Sequence, residues 1–412
     1  MKLKYLFLSL FFLMALSCDK SNDDDYEFVQ VATPQLMSKS AFRSSVEVRA
    51  PKSIQEPGKI YVYQEYIFVG DVDSGIHIID NTKPELPKTI AFIEIPGNED
   101  ISVKNNFLYA DSATDLVVFD ISDINNIFIV ERLKDVFNVY DYDVPVEAEL
   151  VEYGNYNYDE DVIVGWTLTT ERRKKENNID FFLNDGAVLN SVAESFTGTG
   201  GSLARFQIVD NYLYAVGNYE MAIFNIQNLA DPILSNTQYA GWNIETMFQA
   251  NGYLYLGSTN GMYIYSLENP SLPEYISEFT HWEGCDPVVV DGNYAYLTLR
   301  GGNLCGQLES VLEVIDISNK TNPTLVERYE LENPYGLGFK NDILYVCDGT
   351  AGLKLFKRET PKDLMLVNTL PNIQAKDVIP LENSLIMIGA DTIYQYQYME
   401  NDIRLISSFK LN

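Results

Sequence analysis

The chain has 412 residues, 59 acidic against 29 basic side chains, and a formal net charge of −30. Such a surface repels nucleic acid, which needs a basic footprint, and disfavours docking on anionic membrane surfaces. Aromatics at 13%, with 28 tyrosines, point to a β-rich protein.

The N-terminus carries Lys2 and Lys4, then "YLFLSLFFLMALS", then Cys18. A basic start followed by a short apolar run is the pattern of a secretory signal, here residues 1–17, and the run is too short to span a bilayer with margin. Ala15 and Ser17 flank Leu16 ahead of Cys18, which resembles a bacterial lipoprotein signal, although a lipobox usually carries Leu where Ala15 stands. That resemblance implies that Cys18 becomes the first mature residue and is acylated, palmitate included. Ordinary secretion with an incidental cysteine is the alternative. Several acyl chains would anchor the chain firmly, whereas one is marginal. Residues 18–41 begin "CDKSNDDDYE" and hold few aromatics, so a flexible acidic spacer is expected. An acidic patch just after a lipidated cysteine also resembles the surface-export signal of Bacteroidota lipoproteins. It implies an outer-membrane lipoprotein exposed at the cell surface, touching the membrane only through its lipid. A plain solvated spacer is the rival reading.

Beyond residue 41 one apolar-aromatic strand recurs: "YIFVGD" at 66, "FLYADS" at 107, "YLYAVG" at 212, "YLYLGS" at 253, "YAYLTL" at 294, "ILYVCD" at 343 and "SLIMIG" at 384. Their second residues, Ile67, Leu108, Leu213, Leu254, Ala295, Leu344 and Leu385, are 41, 105, 41, 41, 49 and 41 residues apart. Each unit reads as four alternating strands separated by Asp, Asn, Gly and Pro. The third strand often ends in a polar residue, with proline seven later: Asp80 to Pro87, Asn225 to Pro232, Ser266 to Pro273, Asp316 to Pro323. Such an Asp or Asn can accept from its own backbone in the turn. Four-stranded units of this length are propeller blades, so residues 42–412 are expected to form an all-β, seven-bladed β-propeller with a long insertion at about 138–200. Ser44–Ala50 is expected to add a strand beside the last blade and lock the ring. A β-solenoid would need shorter repeats and parallel strands.

"YADSATDLVVFDIS" and "YVCDGTAGLKLF" resemble the LVIVD repeat of bacterial β-propellers, and "GIHIIDNTKPELPK", "GMYIYSLENP" and "CDPVVVDGNYAYLTLR" extend the likeness to LVIVD-repeat lipoproteins of Bacteroidota. The resemblance implies a propeller in the envelope and no particular activity.

In a propeller, loops from an outer strand to the next inner strand share a face, here called the top, with loops between second and third strands. The 138–200 insertion and "RGGNLCGQLES" in unit five fall there, where function concentrates. Cys285 and Cys305 share that face, which makes a disulfide plausible; free thiols or a metal pair are the alternatives, without a "CxxC" or nearby histidine to support metal. Cys347 reads as a buried thiol. Eight residues before the anchors come Lys59, Asp100, Arg205, Thr246, Pro287, Gly336 and Asp377, and nine before come Gly58, Glu99, Ala204, Glu245, Asp286, Tyr335 and Lys376. These are expected to ring a channel mouth, with Trp242, Asn243, His281, Trp282, Glu283, Arg300 and Asn333 in nearby loops. A concavity with aromatic walls and a few polar groups is a default binding site. The bland alternative is that Asp100, Arg205 and Asp377 only pair with one another.

Catalytic signals are weak. His77 lies mid-strand, His281 is a lone loop histidine, and "HExxH", "GxSxG" and "GxxxxGK" are absent. No cofactor is expected. "DVDSG" at 71 faintly resembles a calcium loop but recurs as "DSATD" and "DGTAG", so a plain turn is the better reading and structural Ca2+ the lesser one. The expected role is binding of a glycan, a peptide or an envelope protein on the top face by a monomer. The alternatives are an envelope glycosidase or lyase using Glu245 and Asp286, and a purely structural partner in a surface complex that docks through the insertion.

Overall fold

The structure is a computed structural model and describes residues 26–137, 144–145, 147–174, 199–281, 287–301, 309–360 and 362–411. The chain divides into two compact units, residues 1–36 with 141–184 and residues 37–140 with 185–412.

The described part of the smaller unit is a three-stranded sheet in the order Leu150–Val151, Tyr26–Ser38, Asp161–Lys174. Val31 and Ala32 pair in parallel with Leu150 and Val151 and are fully buried. Tyr153 packs edge-on against Trp166 at 5.8 Å. The flexible spacer expected over residues 18–41 is therefore corrected from Tyr26 onward. That stretch is a strand followed by the helix Lys39–Ser44, whose first turn is capped by Ser38 Oγ accepting from Ala41 N–H. The strand's apolar partners come from more than 100 residues downstream, and the local composition of the spacer carries no sign of them.

In the larger unit, seven antiparallel sheets are described, each with four consecutive strands in sequence order. Sheet one is Pro57–Tyr63, Tyr66–Asp71, Gly75–Asp80 and Lys88–Glu94; sheet two is Ile101–Lys104, Phe107–Ser112, Asp115–Asp120 and Phe128–Leu133. Sheets three to seven begin at Phe206–Val209, Ile244–Ala250, Val288–Asp291, Leu337–Lys340 and Ala375–Pro380. Every recurrent sequence strand is the second strand of a sheet, and its alternate residues are buried on both faces.

The core is divided into layers between neighbouring sheets. Phe68, Ile78, Leu108 and Phe119 fill the layer between sheets one and two, and Tyr109, Leu116, Leu213 and Phe224 that between two and three. Ile60, Ile67, Ile379 and Ile386 form the layer between sheets one and seven, so the succession of sheets returns on itself. The first strand of sheet one accordingly neighbours the first strands of both sheet two and sheet seven. This is a propeller-like arrangement, and burying both faces of each sheet is the physical reason for the non-polar residues at nearly every second-strand position.

Turn chemistry follows the sequence reading. Asp80, Asn225 and Asp316 accept at their Oδ1 from the N–H two residues on, and Ser266 does the same with its hydroxyl. Neighbouring sheets are stitched by side chains: Tyr109 donates to the Leu229 carbonyl, Tyr214 to that of Pro270, and Ser277 to that of Lys320.

The seam between sheets seven and one differs from expectation. Glu47–Arg49 pairs with Lys88–Glu94 of sheet one and not with a strand of the last sheet. Arg43 explains why: it binds Asp115 and Asp135, and with Lys39 on Asp135 it moors this segment over sheets one and two. The seam is instead held by a reciprocal amide pair, Asn81 with Gln395 at 3.0 and 2.7 Å, by Ser407 on the Pro84 carbonyl, and by Ile54 N–H on the Leu411 carbonyl.

Candidate functional site

The face called top is built as the repeat implies. Loops after outer strands bond to the hairpin between second and third strands of the same sheet: Ala240 N–H to the Tyr219 carbonyl, His281 N–H to that of Asn260, Leu331 N–H to that of Ser310. On this face the loop entering the first strand is fastened by a carboxylate at the end of the second. Asp71 accepts from Gln55 and Glu56 N–H, Asp111 from Glu99 and Asp100 N–H, and Asp348 from Glu332 and Asn333 N–H. These are the aspartates of "DVDSG", "DSATD" and "DGTAG". They face donors and cations, Lys52 and Lys354 among them, which is the reverse of a calcium environment. Among the described residues no three His, Cys, Asp or Glu side chains gather in a metal-holding group. His77 is buried, with Nε2 3.2 Å from Asp71 and its ring 4.6 Å from Phe92. Burial alone would push the Asp71 carboxyl up, but His77 and the two N–H donors hold it at about 2.

Of the residues expected to ring an open channel mouth, those eight before the anchors are buried, whereas Glu99 is exposed and Gly58, Tyr335 and Lys376 are half-buried. Lys59, Asp100, Arg205, Thr246, Glu245, Pro287, Gly336 and Asp377 are all buried. The cover is the chain from Thr199 to Phe206. Thr199 and Gly200 pair with Val62 and Tyr61 on the first strand of sheet one, and Gly201 N–H reaches the Ile60 carbonyl. Ser202 gives its N–H and hydroxyl to Asp377 Oδ1 at 3.1 and 2.9 Å, and its oxygen accepts from Leu337 N–H at 2.7 Å. Arg205 and Phe206 N–H both donate to Asp100 Oδ2. This short run thus touches sheets one, two, six and seven at their first strands. Its glycines make that possible, because a Cβ on Gly201 would lie 1.7 Å from Asp377 Oδ2. Together these bonds make a polar plug over the first strands of sheets one, two, six and seven.

Electrostatics follow from that burial. Burial pushes Asp377 up to about 7 against the hydrogen bonds of Val378 and Ser202, and Oδ2 has no hydrogen-bond partner among the described residues. Burial likewise raises Asp100 and lowers Lys59, each opposed by the other across 3.6 Å. The Arg205 guanidinium is held charged despite burial by Glu99 and Glu245. Glu245 is buried in that field, 1% exposed.

Among the described residues, the rim over sheets three and four is open. Trp242 is 55% exposed, edge-to-face with Tyr219 at 5.3 Å. Its loop is pinned: Trp242 N–H donates to Tyr263 Oη, Gly241 has φ +142° with Tyr263 where a Cβ would stand, and Asn243 has φ +43°. Arg205 reaches outward beneath this pair, donating from Nη1 to Glu99 Oε2 and from Nη2 to Asn218 Oδ1 at 2.8 Å. Sheet five's Arg300 instead stacks on Tyr335, 4.3 Å from the ring centre, and His281 packs near Phe279. Trp282, Glu283, Cys285, Asp286 and Cys305 lie outside the described residues, as does Cys18, so the expected disulfide and tether lie there too. Cys347 is buried, and burial pushes its thiol up.

Tyr219, Asn218 and Ser202 were not singled out in the sequence. Tyr219 and Asn218 sit in the hairpin between second and third strands, whose position in the repeat was available as a signal. Ser202 follows "TGTGG", a glycine run read as part of an insertion.

No curated protein matches the chain significantly. Among solved structures, the computationally designed Ika8 protein is similar at a TM-score of 0.50 and 10% identity, over 88% of this chain and 90% of that one. A protein from Lactobacillus plantarum gives 0.50 and 11%, over 78% and 87%. BamB from Moraxella catarrhalis gives 0.48 and 8%, over 81% and 82%. At such identities the likeness concerns the fold alone. The model of the LVIVD repeat matches residues 57–84, 98–135 and 285–330, which fall on sheets one, two and five. This chain carries LVIVD repeats on a propeller-like, all-β scaffold.

Proposed function

We propose that this protein is a closed seven-bladed β-propeller, lipidated at Cys18, held at the outer membrane of a Bacteroidota-like cell and exposed at its surface. It works as a binding protein, taking a glycan, a peptide or a partner protein on the rim of the top face. Support for the closed ring comes from the seven sheets, the core layer between the first and the last, and the Asn81–Gln395 pair. The observation that carries the binding reading is the exposed Trp242–Tyr219 pair on a pinned loop beside the Arg205-keyed Glu99 and Asn218. A large exposed aromatic with a polar margin marks a recognition surface, whereas the axial charges are occupied with one another.

Two experiments test this. For the tether, Cys18→Ser should abolish labelling by radioactive palmitate and release the protein from the membrane, and external protease should digest the wild type on intact cells. Retained labelling or protection would refute that location. For binding, a thermal-shift screen of Cys18→Ser protein against oligosaccharides, peptides, calcium and EDTA should give a shift that Trp242→Ala removes. A ligand at 100 times its Kd stabilises by roughly 2.7 kcal/mol. A shift that survives Trp242→Ala would move the site away from this rim.

A further inference from the structure

Resting on the rim reading above, we infer that the Trp242 platform is a subsite for a neutral saccharide. Three observations point there. The first is the aromatic surface. Trp242 meets Tyr219 edge-to-face and is 55% exposed, and the pinned backbone of Gly241, Trp242 and Asn243 holds it without loss of loop entropy on binding. The carbon-bound hydrogens of a pyranose ring present an apolar, slightly positive surface that suits the negative face of an indole.

The second is a matched donor and acceptor. Arg205 accepts nothing, so its bond to Asn218 fixes the oxygen of that amide inward and leaves the amide nitrogen as a donor on an exposed residue. Arg205 also occupies Glu99 Oε2 and leaves Oε1 as an acceptor on a side chain that is 42% exposed. One donor and one acceptor, keyed by the same guanidinium, are what two neighbouring hydroxyls of a sugar require. Ile244 N–H on the Asn218 carbonyl ties this pair to the strand that follows Trp242.

The third is charge. Arg205 spends Nη1 on Glu99 and Nη2 on Asn218, and its Nε is buried. It therefore has no exposed donor face for a phosphate, sulfate or uronate, and the chain's net charge of −30 further disfavours such anions. Glu99, already paired, is a weak lure for a cation. A neutral polyol is the class left.

The test is titration of full-length Cys18→Ser protein with cellohexaose, xylohexaose, maltohexaose, mannohexaose and chitohexaose, read by calorimetry. Oligogalacturonate and a neutral hexapeptide serve as contrasts. At least one neutral hexasaccharide should bind. Trp242→Ala should weaken it about tenfold or more, Trp242→Phe should restore part of the loss, and Asn218→Ala should weaken it several-fold, with melting temperatures unchanged. Binding of oligogalacturonate or the peptide alone, lost in Trp242→Ala, would overturn the saccharide class and leave the rim reading standing. Saccharide binding indifferent to Trp242→Ala and Tyr219→Ala would overturn both. No binding by any of the five at millimolar concentration would overturn the saccharide inference.

Discussion

The axis and the rim of the larger unit draw on the same residue types and use them in opposite ways. At the axis, Asp377, Asp100 and Lys59 are buried and face one another or the backbone of residues 199–206. On the rim, Arg205 spends its side chain holding Glu99 and Asn218 in place at the surface, next to an exposed tryptophan. One arginine takes part in both, its backbone N–H in the plug and its guanidinium in the rim. Converging charges therefore do not by themselves make a binding site; solvent access decides, and here a run of small residues removes it from the axis.

The comparison can be broken most directly through Asp377. Its carboxyl holds a proton up to about pH 7, whereas in the unfolded chain it ionises near 3.8. The folded state then binds more protons in that window, so stability falls as pH rises from about 4 to about 7, by at most about 4 kcal/mol. Asp377→Asn should flatten this component of the urea-unfolding profile; an unchanged slope would mean that Asp377 is ionised in the plug. Next comes Gly336→Ala, whose methyl would lie 2.0 Å from Asp377 Oδ1 and 2.7 Å from Ser202 Oγ. Overpacking of this kind costs about 1–3 kcal/mol, and chemical denaturation should show a loss in that range. Asn81→Ala, away from both regions, removes the donor to Gln395 Oε1 at the seam while Nε2 keeps the Pro84 carbonyl, and should cost about 1–2 kcal/mol, with the double variant less than additive. Trp242→Ala should change stability by less than about 0.5 kcal/mol while abolishing ligand-induced shifts. A large loss of stability there would place the rim with the structural residues.

Much of this architecture was legible along the chain. The recurrence of "YLYLGS"-like strands located the second strand of every sheet, and the polar residue closing the third strand announced the turns that Asp80, Asn225 and Asp316 make. The four-stranded period places the positions eight before each anchor at equivalent points of their sheets. Their burial was not legible. It depends on Gly201 and Ser202, which lie far in sequence from Asp377 and Leu337 and carry no repeat signal of their own. The ordering of Tyr26–Ser38 escaped for the same reason, its partners being Leu150–Val151 and Asp161–Lys174.

By itself, the sequence determined the period, the strand pattern within each repeat and the turn chemistry, because these rest on contacts between residues a few positions apart. Only the tertiary structure decided which strand sits at the seam, that the axis is plugged, and that Trp242 stands exposed while Glu245 does not. Those outcomes rest on pairings between repeats, some across more than 100 residues, and on solvent access, a property of the folded surface that no local pattern encodes.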